Sequence, residues 1–426
     1  MEERVLLPML RPPAGRQLPR WLRPWAVHRR AARLAAGTAD PRFGQLLARI
    51  SDDRVFRSEG LRIDTEGYRA FRAMVEAVRG ARDEVLLETY IFHDDEVGRE
   101  MADELVAAAA RGATVRLLVD GVGSLGAPLA FWRGLEERGV ATAVFRPLPP
   151  RGRLSLVRDH RKILVVDRRV AFTGGMNVGA EYGSAHWARG ATNLPGGGPW
   201  RDTNVRVTGG AAWELALVFA EGWKIATGER LALGTWRQQP VRPGDEGIVV
   251  LDSRPGRGAG EAEAVLAGVL GGARERLWVT NSYFAPKHIV RHALKRAARR
   301  GVDVRLLLPG ESDLPVVLHA GHGEYAGLMA AGVRIWEYQP SILHAKTLVA
   351  DGRVSLIGSS NLDFRSFHFN GEVNLVVLGE ATGAEMERLF EHDLEVSRPV
   401  DPAAWRRRGL LHKAGDRAAR ILSPLL

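Results

Sequence analysis

Not one cysteine occurs among the 426 residues, so disulfide frameworks and thiol chemistry are excluded, and a zinc site would rest on histidine and carboxylates alone. No run of about 18 or more apolar residues is present, so no transmembrane helix is expected. Low-complexity tracts are missing too. With 45% hydrophobic and 26% charged residues, the composition is that of a folded chain rather than a disordered one. Nor does the N-terminus read as a signal peptide. Between Arg11 and Arg33, arginines are interspersed with Pro12, Pro13, Pro19 and Pro24 where a continuous apolar segment would be needed. Positive charge is what the chain has in excess, 60 Lys and Arg against 50 Asp and Glu for a net charge of +10. That suits an anionic partner, lipid headgroup or nucleic acid, without choosing between them.

The chain repeats itself. The segment DHRKILVVDRRVAFTGGMN from Asp159 resembles LHAKTLVADGRVSLIGSSN from Leu343, with His160 and His344 lying 184 residues apart. Upstream, RGATVRLLVDG matches RGVDVRLLLPG and VLLETYIF echoes LWVTNSYF; downstream, WRDTNVRVTG echoes NGEVNLVVLG. Within each half, strand-like runs alternate with segments of helical period, which suggests βαβ units. The expected fold is α/β: two tandem domains related by a pseudo-two-fold axis, with mixed, largely parallel sheets flanked by helices. The expected divisions are a basic N-terminal segment at 1–50, a first domain at 51–233, a linker at 234–247, a second domain at 248–398 and a basic tail at 399–426. Pro, Gly and Gln replace periodicity in the linker.

The repeat carries H-x-K-x₄-D twice: His160, Lys162 and Asp167, then His344, Lys346 and Asp351. Read as strands, HRKILVVD and HAKTLVAD place His and Lys on one face, because positions two apart share a side. Asp167 and Asp351 then fall on the other face and read as structural. A Gly-Gly or Gly-Ser turn follows, with Gly175 and Ser359 as candidate phosphate-binding positions and Asn177 and Asn361 just beyond. Face to face, the two halves would bring two imidazoles, two ammonium groups and two amides around one phosphorus atom. One histidine attacks phosphorus and the other serves as acid and base. Lysines and amides meet the developing charge, so no metal or other cofactor is expected.

This pattern resembles the phospholipase D superfamily from about Arg54 to Arg398. The stretches HRKILVVDRRVAFTGGMNVGAEY, WRDTNVRV, YFAP, YQPSILHAKTLVADG and GSSNLDFRSFHFNGEVNL are similar to bacterial cardiolipin synthases. Asp363, Arg365, Ser366, Asn370 and Glu372 form the most family-specific run. The resemblance implies an active site between two similar domains, His160 as nucleophile and His344 as acid/base. It also implies Asp202 and Glu372, 170 residues apart in equivalent places, as the acids that orient the rings. Which acid serves which ring stays open, as does the nucleophile assignment.

The implied substrate is phosphatidylglycerol, with a phosphatidyl group passed to a second phosphatidylglycerol and glycerol released. Hydrolysis to phosphatidic acid is the alternative. A phospholipase D–like nuclease and a silent membrane scaffold are rivals; two motifs in one chain disfavour the first, and intact His, Lys and Asn pairs disfavour the second. One chain is expected to suffice for the site. The family often carries N-terminal transmembrane helices, which are not expected here; the two termini would replace them, and peripheral attachment to the cytoplasmic face of a bacterial inner membrane is expected instead. Trp21, Leu22, Trp25 and Val27 among arginines, and Trp405, Leu410, Leu411, Ile421 and Leu422 among Arg and Lys, suit interfacial helices. Glu88 in an apolar strand reads equally as a polar site residue or as a satisfied buried acid, whereas His93, His186, His288, His319, His322 and His368, outside the motif, are more plainly surface or packing residues.

Overall fold

The computed structural model describes residues 23–34, 36–51, 55–149, 152, 155–183, 199–237, 239–242, 244–255 and 259–422. Trp21, Leu22 and His186 lie outside them, as does the side chain of Leu422.

The chain opens with α1 (Arg23–Ala31), α2 (Pro41–Ser51), β1 (Val55–Arg57) and β2 (Leu61–Asp64). The first α/β run follows as α3 (Gly67–Arg79), β3 (Glu84–Thr89), α4 (Glu96–Ala110), β4 (Thr114–Asp120), α5 (Leu129–Glu136) and β5 (Val140–Phe145). Then come β6 (Arg158–Asp159), β7 (Ile163–Val166), β8 (Val170–Gly174), β9 (Asn204–Thr208) and α6 (Gly210–Thr227). The second half repeats this order with β10 (Gly247–Ser253), α7 (Ala259–Gly272), β11 (Arg276–Asn281), α8 (His288–Arg299), β12 (Asp303–Pro309), α9 (Pro315–Met329) and β13 (Arg334–Tyr338). It closes with β14 (Lys346–Ala350), β15 (Val354–Gly358), α10 (Phe364–His368), β16 (Asn370–Leu378), α11 (Glu380–Glu395), β17 (Ser397–Pro399), α12 (Pro402–Arg407) and α13 (Leu410–Leu422).

The strand order is β2-β9-β8-β7-β3-β4-β5 in one sheet and β1-β10-β16-β15-β14-β11-β12-β13-β17 in the other. Parallel pairing in these two orders joins only β3, β4 and β5, and β11, β12 and β13. The remaining neighbours run antiparallel. The expectation of largely parallel sheets is therefore corrected. Helical crossovers feed only those two three-strand blocks, and the motif strands are joined by tight hairpins instead. Asp167 and Arg168 turn with φ of 51° and 54°, and Asp351 and Gly352 with 54° and 61°, a left-handed conformation that Asp and Gly tolerate and that hairpin turns require.

Valines and leucines of both sheets, such as Val205, Val207, Leu375 and Val377, share a core with Leu215 and Phe219 of α6 and Met386 and Phe390 of α11. The halves are thus packed on one another through apolar surface. The N-terminal segment belongs to the second half: β1 pairs with β10, and Val27, Ala31, Phe43 and Leu47 are buried with Val265, Val269 and Leu270 of α7. His28 Nδ1 lies 3.1 Å from the Ala267 carbonyl, and burial lowers that imidazole's pKa to about 4. The apolar face of α1 that suited a membrane interface is occupied by α7. At the other end, Leu410, Leu411 and Ile421 of α13 stay exposed. Among the described residues no helix is long and apolar enough to cross a membrane.

Candidate active site

Each half lends a strand edge to the other. The β6 segment pairs with β16 in parallel, Arg158 and Asp159 opposite Asn370 and Gly371, and the His160 amide donates to the Gly371 carbonyl at 2.8 Å. The second half mirrors this: Arg201 bridges Leu343, and the His344 amide donates to the Arg201 carbonyl at 2.7 Å. The motif histidines therefore precede their strands; β7 begins at Ile163 and β14 at Lys346. The reading of His160 and His344 as strand residues is corrected for this reason, since their backbone groups are claimed by the opposite half.

The same exchange delivers the acids. Glu372 Oε2 lies 3.1 Å from His160 Nδ1, and Asp202 Oδ2 lies 2.7 Å from His344 Nδ1. The assignment is crossed: the carboxylate beside each imidazole comes from the other repeat. A carboxylate at Nδ1 fixes the tautomer and leaves Nε2 as the reactive nitrogen. Glu372 is itself held, with the Ser359 hydroxyl donating to Oε2 at 2.5 Å and Asn370 Nδ2 to Oε1 at 3.3 Å. Asp202 Oδ1 accepts the Thr203 amide at 2.7 Å. Gly175 is small of necessity, because a Cβ there would stand 2.1 Å from Asp202 Oδ1. Gly174 precedes it with φ +145°.

Lys162 and Lys346 are buried beside the rings. Lys162 Nζ donates to the His160 carbonyl at 2.7 Å, and Lys346 Nζ donates to the His344 carbonyl and sits 2.8 Å from His344 Nδ1. Burial lowers the Lys162 pKa to about 7 against the pull of Glu372, and that of Lys346 to about 8 against Asp202. Burial, reinforced by the neighbouring lysine, also lowers both imidazoles, His344 to about 3. Each of these shifts disfavours positive charge in the buried site.

The amide of Asn177 is engaged on both sides: Nδ2 donates to the Tyr182 hydroxyl at 2.7 Å, and Oδ1 accepts from the Ile91 amide at 3.1 Å. Asn361 Oδ1 accepts from the Ser282 hydroxyl at 2.7 Å. Asp167 and Asp351 are remote from the histidines. Asp167 accepts the amides of Arg82, Asp83 and Glu84, and Asp351 those of Arg274, Glu275 and Arg276. Each ties the hairpin turn to the start of the neighbouring strand in the sheet, β3 or β11.

Sequence reading missed the aromatic lining. Tyr90 lies edge-on to His160 at 5.0 Å, and Tyr182, Trp200 and Tyr283 surround His344 at 5.3, 5.2 and 6.0 Å. The repeated YIF and SYF runs carried two of these rings in plain view. Also missed were two arginines that lock the halves. Arg161 Nη1 binds Glu88 Oε1 at 3.1 Å and its Nη2 binds Asp252 Oδ1 at 2.9 Å. Arg201 Nη2 binds Asp393 Oδ2 at 2.6 Å. Burial first and then neighbouring Asp159 push the Glu88 carboxyl well above the usual carboxylate range, and it faces Arg161 behind the site. Of the remaining histidines, His93 pairs with Glu181 at 3.2 Å, His288 packs on Trp25, and His368 stacks on Phe364.

A family model described as cardiolipin synthase, phospholipase D–like domain, matches residues 74–186 and 266–394. A cardiolipin synthase from Halalkalibacterium halodurans is 33% identical over 386 residues, covering 90% of this chain and 75% of its own. Cardiolipin synthase A from Pseudomonas fluorescens is 35% identical over 410 residues, covering 95% and 82%. The crystal structure of phosphatidylserine synthase from Haemophilus influenzae superposes with a TM-score of 0.67 at 13% identity, over 90% of this chain and 100% of that one. That last likeness concerns the fold alone.

Proposed function

Since this chain belongs to the cardiolipin synthase family of phospholipase D–like phosphatidyltransferases, we propose that it passes a phosphatidyl group from one phosphatidylglycerol to another, releasing glycerol. One observation carries the mechanism: two imidazoles, each held at Nδ1 by a carboxylate of the opposite half, with two buried ammonium groups beside them. His160 Nε2 attacks phosphorus and displaces the glycerol headgroup, forming a phosphatidyl-histidine. His344, protonated once the phosphodiester has entered, gives its proton to the departing oxygen. The terminal hydroxyl of a second phosphatidylglycerol then returns a proton to His344 as its oxygen attacks phosphorus, and His160 leaves. Lys162 and Lys346 compensate charge on the non-bridging oxygens, with Asn177, Asn361, Gly175 and Ser359 shaping the cradle. The aromatic rings exclude water around His344, which favours an alcohol over water as acceptor.

Docking is peripheral in this reading. Exposed Leu410, Leu411 and Ile421 stand among Arg406, Arg407, Lys413 and Arg417 at the C-terminal end of the chain, the pairing that binds an anionic interface. Changing the three to serine should weaken sedimentation with phosphatidylglycerol vesicles while leaving turnover in detergent micelles unchanged.

The deciding experiment incubates the protein with phosphatidylglycerol vesicles and separates the lipids. Cardiolipin with equimolar glycerol supports transfer. Phosphatidic acid as the sole product means hydrolysis, and no lipid product, with DNA cleaved instead, defeats the reading. His160→Ala and His344→Ala should each lower turnover by about 10⁴-fold or more.

A further inference from the structure

Outside the paired motifs, α13 packs against α9, and three metal-competent side chains meet there. His319 and His322 lie three residues apart on α9 and share a face. Asp416 comes from α13 and is 2% exposed. His319 Nδ1 is 2.9 Å from Asp416 Oδ1, and His322 Nδ1 is 3.9 Å from the same oxygen. One ligand atom from each residue lies within 4.8 Å of the other two. A tetrahedral zinc ion holds its ligands at about 2.0–2.1 Å, which separates them by roughly 3.3 Å. Side-chain shifts of less than about 1 Å close this set on one ion.

The surroundings favour coordination. His322 Nε2 is buried without a hydrogen bond and points at Glu337 Oε1 from 3.6 Å. A carboxylate behind the second ring nitrogen is how proteins fix the tautomer of a ligating histidine. Asp416 Oδ2 takes Arg408 Nη2 at 2.7 Å, which turns Oδ1 toward the imidazoles and balances the carboxylate's second oxygen. His319 is half-exposed, so a water can complete the tetrahedron. His412, one turn before Asp416, borders the same groove as His319. Two nitrogens and one oxygen suit a zinc-type ion and disfavour calcium or magnesium, which prefer oxygen.

We propose that His319, His322 and Asp416 bind one divalent transition-metal ion of zinc type, which staples α13 to α9. The ion takes no part in phosphatidyl transfer; it fixes the exposed, basic C-terminal helix to the second half.

The test uses the full chain after exhaustive chelation. Titration with cobalt(II) should give one ion per chain and the visible absorption of a four-coordinate centre, displaced by zinc, with a rise in Tm. The double variant H319A/H322A should lose the absorption and the Tm rise while keeping metal-free turnover of phosphatidylglycerol. His319→Ala alone, on the exposed ligand, should weaken binding about 10-fold or more without disturbing folding. The variant H160A/H344A should bind the ion unchanged. Absence of stoichiometric binding overturns the proposal. So does binding that survives H319A/H322A, and so does binding lost in H160A/H344A.

Discussion

Asp202 and Glu372 do the same work with different reach, and the residue beside each is sized accordingly. Glu372 is long enough to leave room for the Ser359 hydroxyl, which donates to it. Asp202 is short and fills the space that a side chain at Gly175 would need. Gly175→Ala should therefore push Asp202 off His344 and lower kcat by about 10²-fold or more with the fold intact, as loss of ring orientation does elsewhere. Near-native circular dichroism beside unchanged kcat would refute the argument. Asp202→Asn and Glu372→Gln should cost about 10²–10⁴-fold each. In the proposed mechanism the lysines set the pH dependence. Their charged forms are needed, and burial brings Lys162 to about 7 and Lys346 to about 8, so kcat/KM should fall as pH rises through 7 to 8. A bound phosphodiester favours both ammonium forms, so the decline in kcat should come at higher pH than that in kcat/KM. His344, brought down to about 3, stays neutral in the free enzyme across this range. A profile flat to pH 9 would remove the lysines from the mechanism.

At the scale of elements, the two halves are alike in order and unlike in their locks. The position between His and Lys is Arg161 in one motif and Ala345 in the other, and the residue before the acid is Arg201 in one and Gly371 in the other. Both locking arginines thus come from the first half. Each reaches a carboxylate of the second, Asp252 or Asp393. Arg201→Ala leaves Asp393 buried without its cation and should destabilise the chain by about 3–5 kcal/mol in urea unfolding; a loss below about 1 kcal/mol would show that solvent reaches the pair. The repeat, the α/β alternation and the His and Lys positions were all legible, because period and spacing survive in one dimension. The pairing direction was not, since the hydrophobic runs of β7 and β8 are buried whichever way they pair. The location of His160 outside β7 was also hidden. Its backbone partner, Gly371, is over two hundred residues away, and local alternation carries no trace of it. Likewise α1 displayed a basic amphipathic face, but nothing in its residues distinguished a lipid surface from α7.

At the scale of the molecule, neither half holds both a motif histidine and the carboxylate at its Nδ1. In the single-chain reading, a His160→Ala chain mixed with a His344→Ala chain should stay inactive; recovered cardiolipin formation would instead mean that halves exchange between chains. The crossed carboxylates give this docking a further consequence. Any slip between the halves separates both imidazoles from their acids in one movement, before a strand or helix melts. Turnover should then fade on warming ahead of the far-ultraviolet signal, and the thermal ceiling of the catalyst is the strength of a joint rather than the stability of a domain.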